Sequence, residues 1–239
     1  MLISHQHHFI FVHIYKNAGI SITTALMPFA AIQGQIQVDN FLNYLGISYL
    51  YPLVIKDNSS FREWVSNILN NVFERLTVLK NHPQPVYNHA TAAEIISKMG
   101  QETFDAYFSF GIVRNPWDWQ VSLYRFALES IVHPQRKMFA EFGSFENYIH
   151  WRCKEDVHYQ KDFLFSENGE QLVDFIGKYE NLEADFQKIC DHIGIDVKLP
   201  KLNRSTKHKP FQAYYTPETI ELVRRTFAPD VELFGYEFK

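Results

Sequence analysis

The sequence feature that most constrains the fold is an apolar run near the N-terminus, FIFVHI, at residues 9–14. A near-continuous apolar run of this length is typical of a strand that is buried on both faces, as in a parallel sheet. The run stops at YKNAG, residues 15–19, and a helix-like stretch, ISITTALM, then continues as far as Pro28. The chain therefore begins with a strand, a tight loop and a helix.

Further strand and helix signals alternate along the rest of the chain. A second apolar strand, FSFGIV, is predicted at residues 108–113. Thr91 and Glu94 form a capping-box pattern, which predicts a helix from about Ala92 to Met99 that stops at Gly100. The other predicted helices lie around residues 61–76, from Trp117 onwards, from Ser144 through Trp151, from Leu182 to His192 with Gly194 as the end, and from Thr216 and Pro217 with Pro229 as the end.

This alternation predicts an α/β fold with a mainly parallel sheet flanked by helices. The chain has 239 residues, of which 46% are hydrophobic, so it can bury a substantial core in a single domain over residues 1–239. One local exception is predicted at Asn168-Gly169, a dipeptide that favours a two-residue hairpin between two extended runs.

Charge and cysteine content exclude several classes of protein. A formal charge of −4 gives no indication of a nucleic-acid coat or a basic membrane patch. Two cysteines, Cys153 and Cys190, are too few for a disulfide scaffold and indicate a reducing compartment. The N-terminus does not have the pattern of a signal peptide, and no stretch approaches the ~20 apolar residues that span a bilayer. We therefore expect a cytoplasmic protein with no stable membrane insertion and no nucleic-acid partner.

The loop after the first strand has the chemistry of an anion site. The first N–H groups of a helix lack intrahelical partners, and the helix dipole adds partial positive charge there. Gly19 lets the backbone approach a ligand, Ser21 supplies a hydroxyl and Lys16 supplies a full charge. The alternative is an ordinary strand–helix turn with a solvated lysine, but the whole set after a buried strand favours phosphate or sulfate binding.

Arg114, at the end of the second strand, distinguishes this sequence pattern from that of a P-loop NTPase. Such enzymes carry GxxxxGK[ST], with the lysine after the second glycine, and an acidic residue after another strand that helps to hold magnesium. Here Lys16 precedes Gly19, and the second strand ends in arginine. Arginine can grip a second phosphate bidentately, and Ser122, about two helical turns on, can add a hydroxyl to the same anion.

Residues 16–21, KNAGIS, and 114–122, RNPWDWQVS, resemble the 5′-phosphosulfate loop and the 3′-phosphate motif of sulfotransferases that use 3′-phosphoadenosine 5′-phosphosulfate (PAPS). The most similar group is the carbohydrate sulfotransferases (sulfotransferase family 2), notably their short bacterial members. Weaker pieces of the same pattern follow in order at residues 88–92, 160–164, 173–177, 179–182, 199–203 and 233–238. The resemblance implies a P-loop-NTPase-like sulfotransferase fold, with PAPS as the donor and no metal.

The resemblance also implies a role for each motif residue. Lys16 would sit near the bridging oxygen, where charge develops as the sulfate leaves. Arg114 and Ser122 would hold the 3′-phosphate. The family usually has Thr where this chain has Ile20, which removes one possible phosphate contact. The loop that binds the 5′-phosphosulfate would consist of Lys16, Asn17, Ala18, Gly19, Ile20 and Ser21, with Gly19 and Ser21 cradling the phosphate.

His89 is the candidate general base, because it stands where related carbohydrate sulfotransferases carry a histidine base. A histidine titrates near neutrality and can accept a hydroxyl proton at working pH. The alternative is a loop histidine that only adds a hydrogen bond at a helix start. His13, on the first strand, and Glu94 are the other candidates, although His13 is expected to be packed in the strand and Glu94 to be occupied with capping.

No metal site is predicted. His5, His7 and His8 form a cluster that is expected to be solvated at an edge. His150 and His158, with Cys153 between them, match no structural zinc spacing and lack a second pair of ligands.

The acceptor is the least constrained part of the prediction. The resemblance implies an acceptor hydroxyl on a carbohydrate, and a different small-molecule acceptor stays open. A basic loop after residue 200 is either a solvated turn or a lid over the donor or the acceptor; its polar residues are Asn203, Arg204, Lys207, His208 and Lys209. The aromatic region of residues 33–79 and the segment of residues 133–151 are expected to shape the acceptor pocket.

Two other functions remain as alternatives to sulfuryl transfer. A kinase or other NTPase would share the strand–loop–helix start, but Arg114 and the missing glycine-rich signature count against it. A non-catalytic protein that binds a nucleotide or a sulfated glycan is favoured only by Ile20.

Overall fold

The computed structural model describes residues 1–30, 89–130, 133–200 and 209–239. Two predictions lie outside these residues, namely the helix around residues 61–76 and the aromatic acceptor region of residues 33–79. In the basic loop, only Lys209 is described, and the positions outside are Asn203, Arg204, Lys207 and His208.

A four-stranded sheet in the order β1-β2-β3-β4 forms the centre of the described chain. Its strands are β1 (Leu2–Ser4), β2 (Phe9–Val12), β3 (Phe108–Val113) and β4 (Phe175–Lys178). β1 is antiparallel to β2, whereas β2, β3 and β4 run parallel to one another. The prediction of an α/β fold with a mainly parallel sheet is therefore confirmed.

Helices connect and cover these strands. The described α-helices are α1 (Gly19–Leu26), α2 (Ala92–Met99), α3 (Gln101–Asp105), α4 (Pro116–Glu129), α5 (Arg136–Glu141), α6 (Phe145–Glu155), α7 (Leu182–Ile193), α8 (Pro217–Thr226) and α9 (Ala228–Leu233). The predicted capping box at Thr91 is present, with the Glu94 side chain accepting from the Thr91 N–H at 2.8 Å. Local cap chemistry thus places α2 where the sequence predicts it.

Two local predictions differ from the structure. Pro229 does not end a helix, because α8 ends at Thr226 and Pro229 lies in the first turn of α9, where proline is tolerated. The Asn168-Gly169 dipeptide lies in a hairpin whose one antiparallel bridge joins Phe165 to Gln171, so the turn is longer than the predicted two residues. The chain then continues into β4, which pairs parallel to β3.

The hydrophobic core lies on both faces of the sheet. Phe9 and Phe11 of β2 pack in one buried cluster with residues of α1 and α7. Ile10 and Val12 belong to a second cluster, with residues of α4 and α6. Successive side chains of a strand point to opposite faces, so a strand covered on both sides must be apolar throughout. This explains the uninterrupted FIFVHI run.

The parallel pairing of β2 with β3 brings two distant loops together. Val12 lies opposite Gly111, so the carboxyl ends of both strands meet at the same edge of the sheet. The loop at residues 15–18 and the residues that follow β3 therefore emerge side by side. In open α/β sheets this edge is where ligands bind.

Among the described residues, no helix combines the length and the apolar character needed to cross a membrane.

Candidate functional site

The loop between β2 and α1 has the backbone shape of an anion-binding site. Lys16 and Ala18 have φ values of 66° and 60°, whereas Asn17 between them does not have a positive φ. Left-handed residues occur in backbone nests, in which successive N–H groups form a concavity that favours anions. Non-glycine residues adopt positive φ rarely, so the surrounding contacts must hold this loop in place.

The N-terminus of α1 opens onto this loop without a side-chain cap. Ala18 stands at the N-cap and offers no side-chain hydrogen bond to the first turn. Among the other described helices, α3, α5, α7 and α9 also lack a side-chain cap, whereas side chains cap α2, α4, α6 and α8, through Thr91, Asn115, Ser144 and Thr216. The positive end of α1 therefore faces the loop without an acceptor from its own N-cap side chain.

Gly19 is required because the backbone of α1 packs directly on a histidine ring. A Cβ atom at Gly19 would lie 1.6 Å from Nε2 of His13. His13 is 5% exposed and its ring stacks on Phe11 at 5.6 Å between centroids, so the ring has little room to move. His13 is packed as the sequence predicts, although it lies just after β2 and not within it, and its ring contacts the first turn of α1.

Lys16 lies over helix α4, beside the loop. Its Nζ atom is 3.7 Å from the ring centroid of Phe126. Burial, and then the nearby charge of Arg114, lower the pKa of Lys16 to about 8, while Glu129 opposes the shift. Lys16 therefore remains mostly cationic at neutral pH. Phe126 is 42% exposed, and sequence analysis did not identify it because a single exposed aromatic carries no local signal.

Arg114 connects the end of β3 to the same loop. Its Nη1 donates to the carbonyl oxygen of Lys16 at 3.0 Å, and its Nε and Nη2 each lie 2.8 Å from Oδ2 of Asp118. The guanidinium also covers the ring of Tyr179 at 4.0 Å. The structure thus brings the two predicted phosphate motifs into direct hydrogen-bond contact, although they are almost 100 residues apart in the sequence.

The remaining loop and helix residues line this region in different ways. Ile20 and Ser21 are half-buried in the first turn of α1, and Ser122 is half-buried on α4. Ser122 is one turn beyond Asp118 and one turn before Phe126, so all three lie on one face of α4. Ser122 is therefore on the helix face that carries the partners of Arg114 and Lys16.

Asn17 uses its side chain within the protein. Its Nδ2 donates to the carbonyl oxygen of Ile112 at 2.8 Å and to Oε1 of Gln160 at 2.7 Å. Both amide hydrogens are therefore occupied, and Oδ1 of Asn17 is buried with no hydrogen-bond partner. Gln160, which is fully buried, was not predicted as a site residue, since a lone glutamine in a loop gives no signal by itself.

His89 lies against His13 and Tyr15 near the loop. Its ring centroid is 4.6 Å from that of His13 and 5.7 Å from that of Tyr15. Nδ1 of His89 is 3.0 Å from the carbonyl oxygen of His13. A carbonyl oxygen can only accept, so Nδ1 carries the hydrogen and Nε2 keeps its lone pair. Although His89 is exposed as a residue, partial burial of its ring lowers its pKa.

No group of three or more His, Cys, Asp or Glu side chains that could hold a metal ion occurs within residues 1–30, 89–130, 133–200 and 209–239. Cys153 and Cys190 are both free thiols.

The chain matches the model of the sulfotransferase family over residues 1–237. An uncharacterized protein from Archaeoglobus fulgidus is 32% identical over 105 residues, which cover 44% of this chain and 82% of that protein. Among solved structures, a mouse sulfotransferase, SULT7A1, crystallised in complex with PAP, has a similar fold with a TM-score of 0.51 and 14% identity. That match covers 96% of this chain and 86% of the mouse chain.

Proposed function

Because this chain belongs to the sulfotransferase family, we propose that it transfers a sulfuryl group from PAPS to an acceptor hydroxyl on a carbohydrate. The observation that carries the proposal is the contact between the Arg114 guanidinium and the carbonyl oxygen of Lys16. This contact joins a backbone nest and a fixed arginine, which are two anion-binding elements in one site. PAPS carries two separate anionic groups, the 5′-phosphosulfate and the 3′-phosphate.

The 5′-phosphosulfate binds at the loop and the N-terminus of α1 in this proposal. The backbone of residues 16–21 and the hydroxyl of Ser21 hold the phosphate, and Lys16 holds the bridging oxygen. Arg114 and Ser122 hold the 3′-phosphate. The complex of the mouse sulfotransferase with PAP supports this choice of donor, because PAP is the product that remains when PAPS loses its sulfuryl group.

The transfer follows from the roles of two side chains. The acceptor oxygen attacks sulfur in line as the bond between sulfur and the bridging oxygen breaks, which leaves PAP and a sulfate ester. The Lys16 ammonium neutralises the negative charge that develops on the bridging oxygen. Nε2 of His89 takes the proton of the acceptor hydroxyl. Nε2 has a free lone pair for this proton because Nδ1 carries the ring hydrogen that is donated to the carbonyl oxygen of His13.

The proposal also includes a carbohydrate acceptor and a cytoplasmic location. The carbohydrate acceptor rests on the resemblance to carbohydrate sulfotransferases. The cytoplasmic location rests on two unpaired cysteines, which suit a reducing compartment.

Nucleotide binding tests the proposed donor directly. We expect PAP to raise the melting temperature more than AMP does, since only PAP engages Arg114 and Ser122. A ligand at 100 times its dissociation constant adds about 2.7 kcal/mol to the free energy of unfolding. ATP with magnesium serves as the comparison for a kinase or NTPase, and a larger shift with that pair than with PAP would support the kinase instead.

The matched variants are Arg114→Lys and Arg224→Lys. The first keeps the charge but loses the bidentate geometry, so we expect it to lose most of the preference for PAP over AMP. Arg224 lies on α8 and pairs with Glu221, so its variant should behave like the wild type. Equal shifts with PAP and AMP in the wild-type protein would contradict the proposed donor. Binding of PAP without any sulfuryl transfer, across many carbohydrates, would indicate a non-catalytic binder.

A further inference from the structure

The side-chain amide of Gln160 makes three hydrogen bonds at the point where the two anion-binding segments meet. Its Oε1 accepts from Nδ2 of Asn17 at 2.7 Å and from the backbone N–H of Arg114 at 2.8 Å. Its Nε2 donates to the carbonyl oxygen of Arg114 at 2.7 Å. One amide therefore bonds the loop on one side and both backbone polar groups of Arg114 on the other.

Arg114 needs these bonds because it lies just beyond the end of β3. Inside the strand, backbone groups pair with β2 and β4, and β3 ends at Val113. A buried backbone N–H or carbonyl group without a partner is costly, and the Gln160 amide takes the place of the missing strand neighbour. The backbone of Arg114 is thus fixed by a side chain, and the direction of its guanidinium depends on that fixed backbone.

Gln160 is itself held from a third direction. Its backbone N–H donates to Oδ2 of Asp230 at 2.8 Å, and the N–H of Lys161 donates to Oδ1 of the same carboxylate at 2.9 Å. Gln160 and Asp230 are both 0% exposed. The backbone that carries the Gln160 side chain is therefore held by bonds that do not involve the loop or Arg114.

From this geometry we propose that Gln160 is a positioning residue that sets the spacing between the two anion-binding segments and thereby the selectivity for a nucleotide with a 3′-phosphate. The inference rests on the proposed function, because it takes PAP as the ligand that spans both segments. A ligand that binds two linked sites gains affinity only when their spacing fits. AMP, which reaches one segment, depends on that spacing less than PAP does.

A purely structural role would have a different signature. If Gln160 only satisfied buried backbone groups, its loss would lower the free energy of unfolding and weaken PAP and AMP equally. If it positions the segments, its loss lowers the ratio of the AMP dissociation constant to the PAP dissociation constant. That ratio is insensitive to a general loss of stability, provided that the variant is folded.

The test measures both dissociation constants by titration calorimetry in wild type, Gln160→Met, Asn17→Ala and the double variant. Methionine has a similar shape and cannot make the three bonds. We expect Gln160→Met to lower the AMP-to-PAP ratio by about tenfold, in line with the loss of one or two net hydrogen bonds. Asn17→Ala should lower the ratio less, and the double variant should lower it no further than Gln160→Met, because both act through the same bond.

Gln120→Met is the matched control. Gln120 is also a 0% exposed glutamine, but it accepts from Tyr148 and Arg152, away from the contact between Lys16 and Arg114. Its variant should lose stability and keep the wild-type ratio. If Gln160→Met does not fold, Gln160→Asn carries the test, since its amide is uncharged but one methylene shorter and cannot reach Asn17 and both backbone groups of Arg114 together.

The outcomes separate this inference from the proposed function. A wild-type protein that does not prefer PAP would contradict the proposed function. If the wild-type protein prefers PAP and Gln160→Met, or Gln160→Asn in its place, keeps that preference in full, the inference is overturned and the proposed function stays intact. Additive losses in the double variant would also overturn it, because the two residues would then act independently.

Discussion

At the scale of single residues, hydrogen-bond partners determine which atoms are available for chemistry. The carbonyl oxygen of His13 fixes the hydrogen of His89 on Nδ1 and leaves Nε2 as the basic nitrogen. Glu94, by contrast, accepts from the N–H of Thr91 in its capping box. The sequence predicted the capping role of Glu94, since that pattern is local. It could not predict the His89 bond, because His13 is 76 residues away.

Replacing His89 tests its role as the general base. We expect His89→Ala to lower the turnover number by about 10²–10⁴-fold, the usual contribution of a positioned base, with PAP affinity nearly unchanged. Burial lowers the pKa of His89, so the wild-type enzyme should lose activity only below the ordinary histidine range, as Nε2 becomes protonated. His89→Ala should not show that acid limb in a pH–rate profile.

The control for this experiment is His150→Ala, which removes an exposed histidine from α6. It should keep both the wild-type turnover and the acid limb. If His89→Ala retains most of the turnover and the same pH profile, the base is another group, and His13 and Glu94 are the next to test.

At the scale of elements, the strand–loop–helix unit is held by contacts that its local sequence only partly reveals. The apolar pattern predicts β2, and Gly19 indicates a close backbone approach. What Gly19 approaches is the side chain of His13, just beyond the end of β2, and this becomes evident only once α1 folds back over the sheet. The turn at Asn168-Gly169 shows the same limit, because its antiparallel bridge and the parallel pairing of β4 with β3 both depend on the folded chain.

Gly19→Ala tests how tightly α1 is seated. The added Cβ would overlap the ring of His13, which is packed against Phe11 and His89 and cannot swing aside. We expect a loss of about 1–3 kcal/mol in the free energy of unfolding, as for other overpacked sites, and weaker PAP binding. Urea unfolding and calorimetry measure the two effects.

A second substitution separates this clash from a general effect of alanine on the helix. His13→Ala removes the ring, so Gly19→Ala made in that background should cost little further stability. If the cost of Gly19→Ala is the same with and without the His13 ring, the steric explanation is wrong.

At the scale of the whole molecule, distant parts of the chain converge on one buried residue, Gln160. Asn17 and Gln160 are 143 residues apart, and Gln160 and Asp230 are 70 apart. Periodicity indicated the fold class, and short motifs with a resemblance to a known family indicated the two candidate anion-binding segments, because each is a local pattern. The convergence on Gln160 depends on the complete packing, and a single sequence does not encode it in any local signal.

The buried carboxyl of Asp230 should give the fold a measurable pH dependence. Burial raises its pKa to about 6 from 3.8, despite the N–H groups of Gln160 and Lys161 that favour the ionised form. A raised pKa means that the folded state binds the proton more tightly. The stabilisation from this group is therefore complete below about pH 4 and is lost as the pH rises to about 6. The loss corresponds to about 3 kcal/mol.

Asp230→Asn removes this titration. The quantity to compare is the change in the free energy of unfolding with pH, in the wild type and in the variant. Urea unfolding of wild type and variant between pH 4 and 7 should give curves that diverge, with the wild type losing stability relative to the variant as the pH rises. Glu167→Gln, at an exposed carboxyl elsewhere in the chain, should run parallel to the wild type. A parallel course for Asp230→Asn as well would show that Asp230 keeps an ordinary pKa.

Ala18, at the N-cap of α1, offers no side-chain hydrogen bond to the first turn of that helix. In α2, α4, α6 and α8, a threonine, serine or asparagine side chain caps the first turn, and that cap is permanent. Under the proposed function, the phosphate of the nucleotide would take the place of such a cap at α1. The nucleotide would then be both the donor of the reaction and, while bound, a removable cap of the helix.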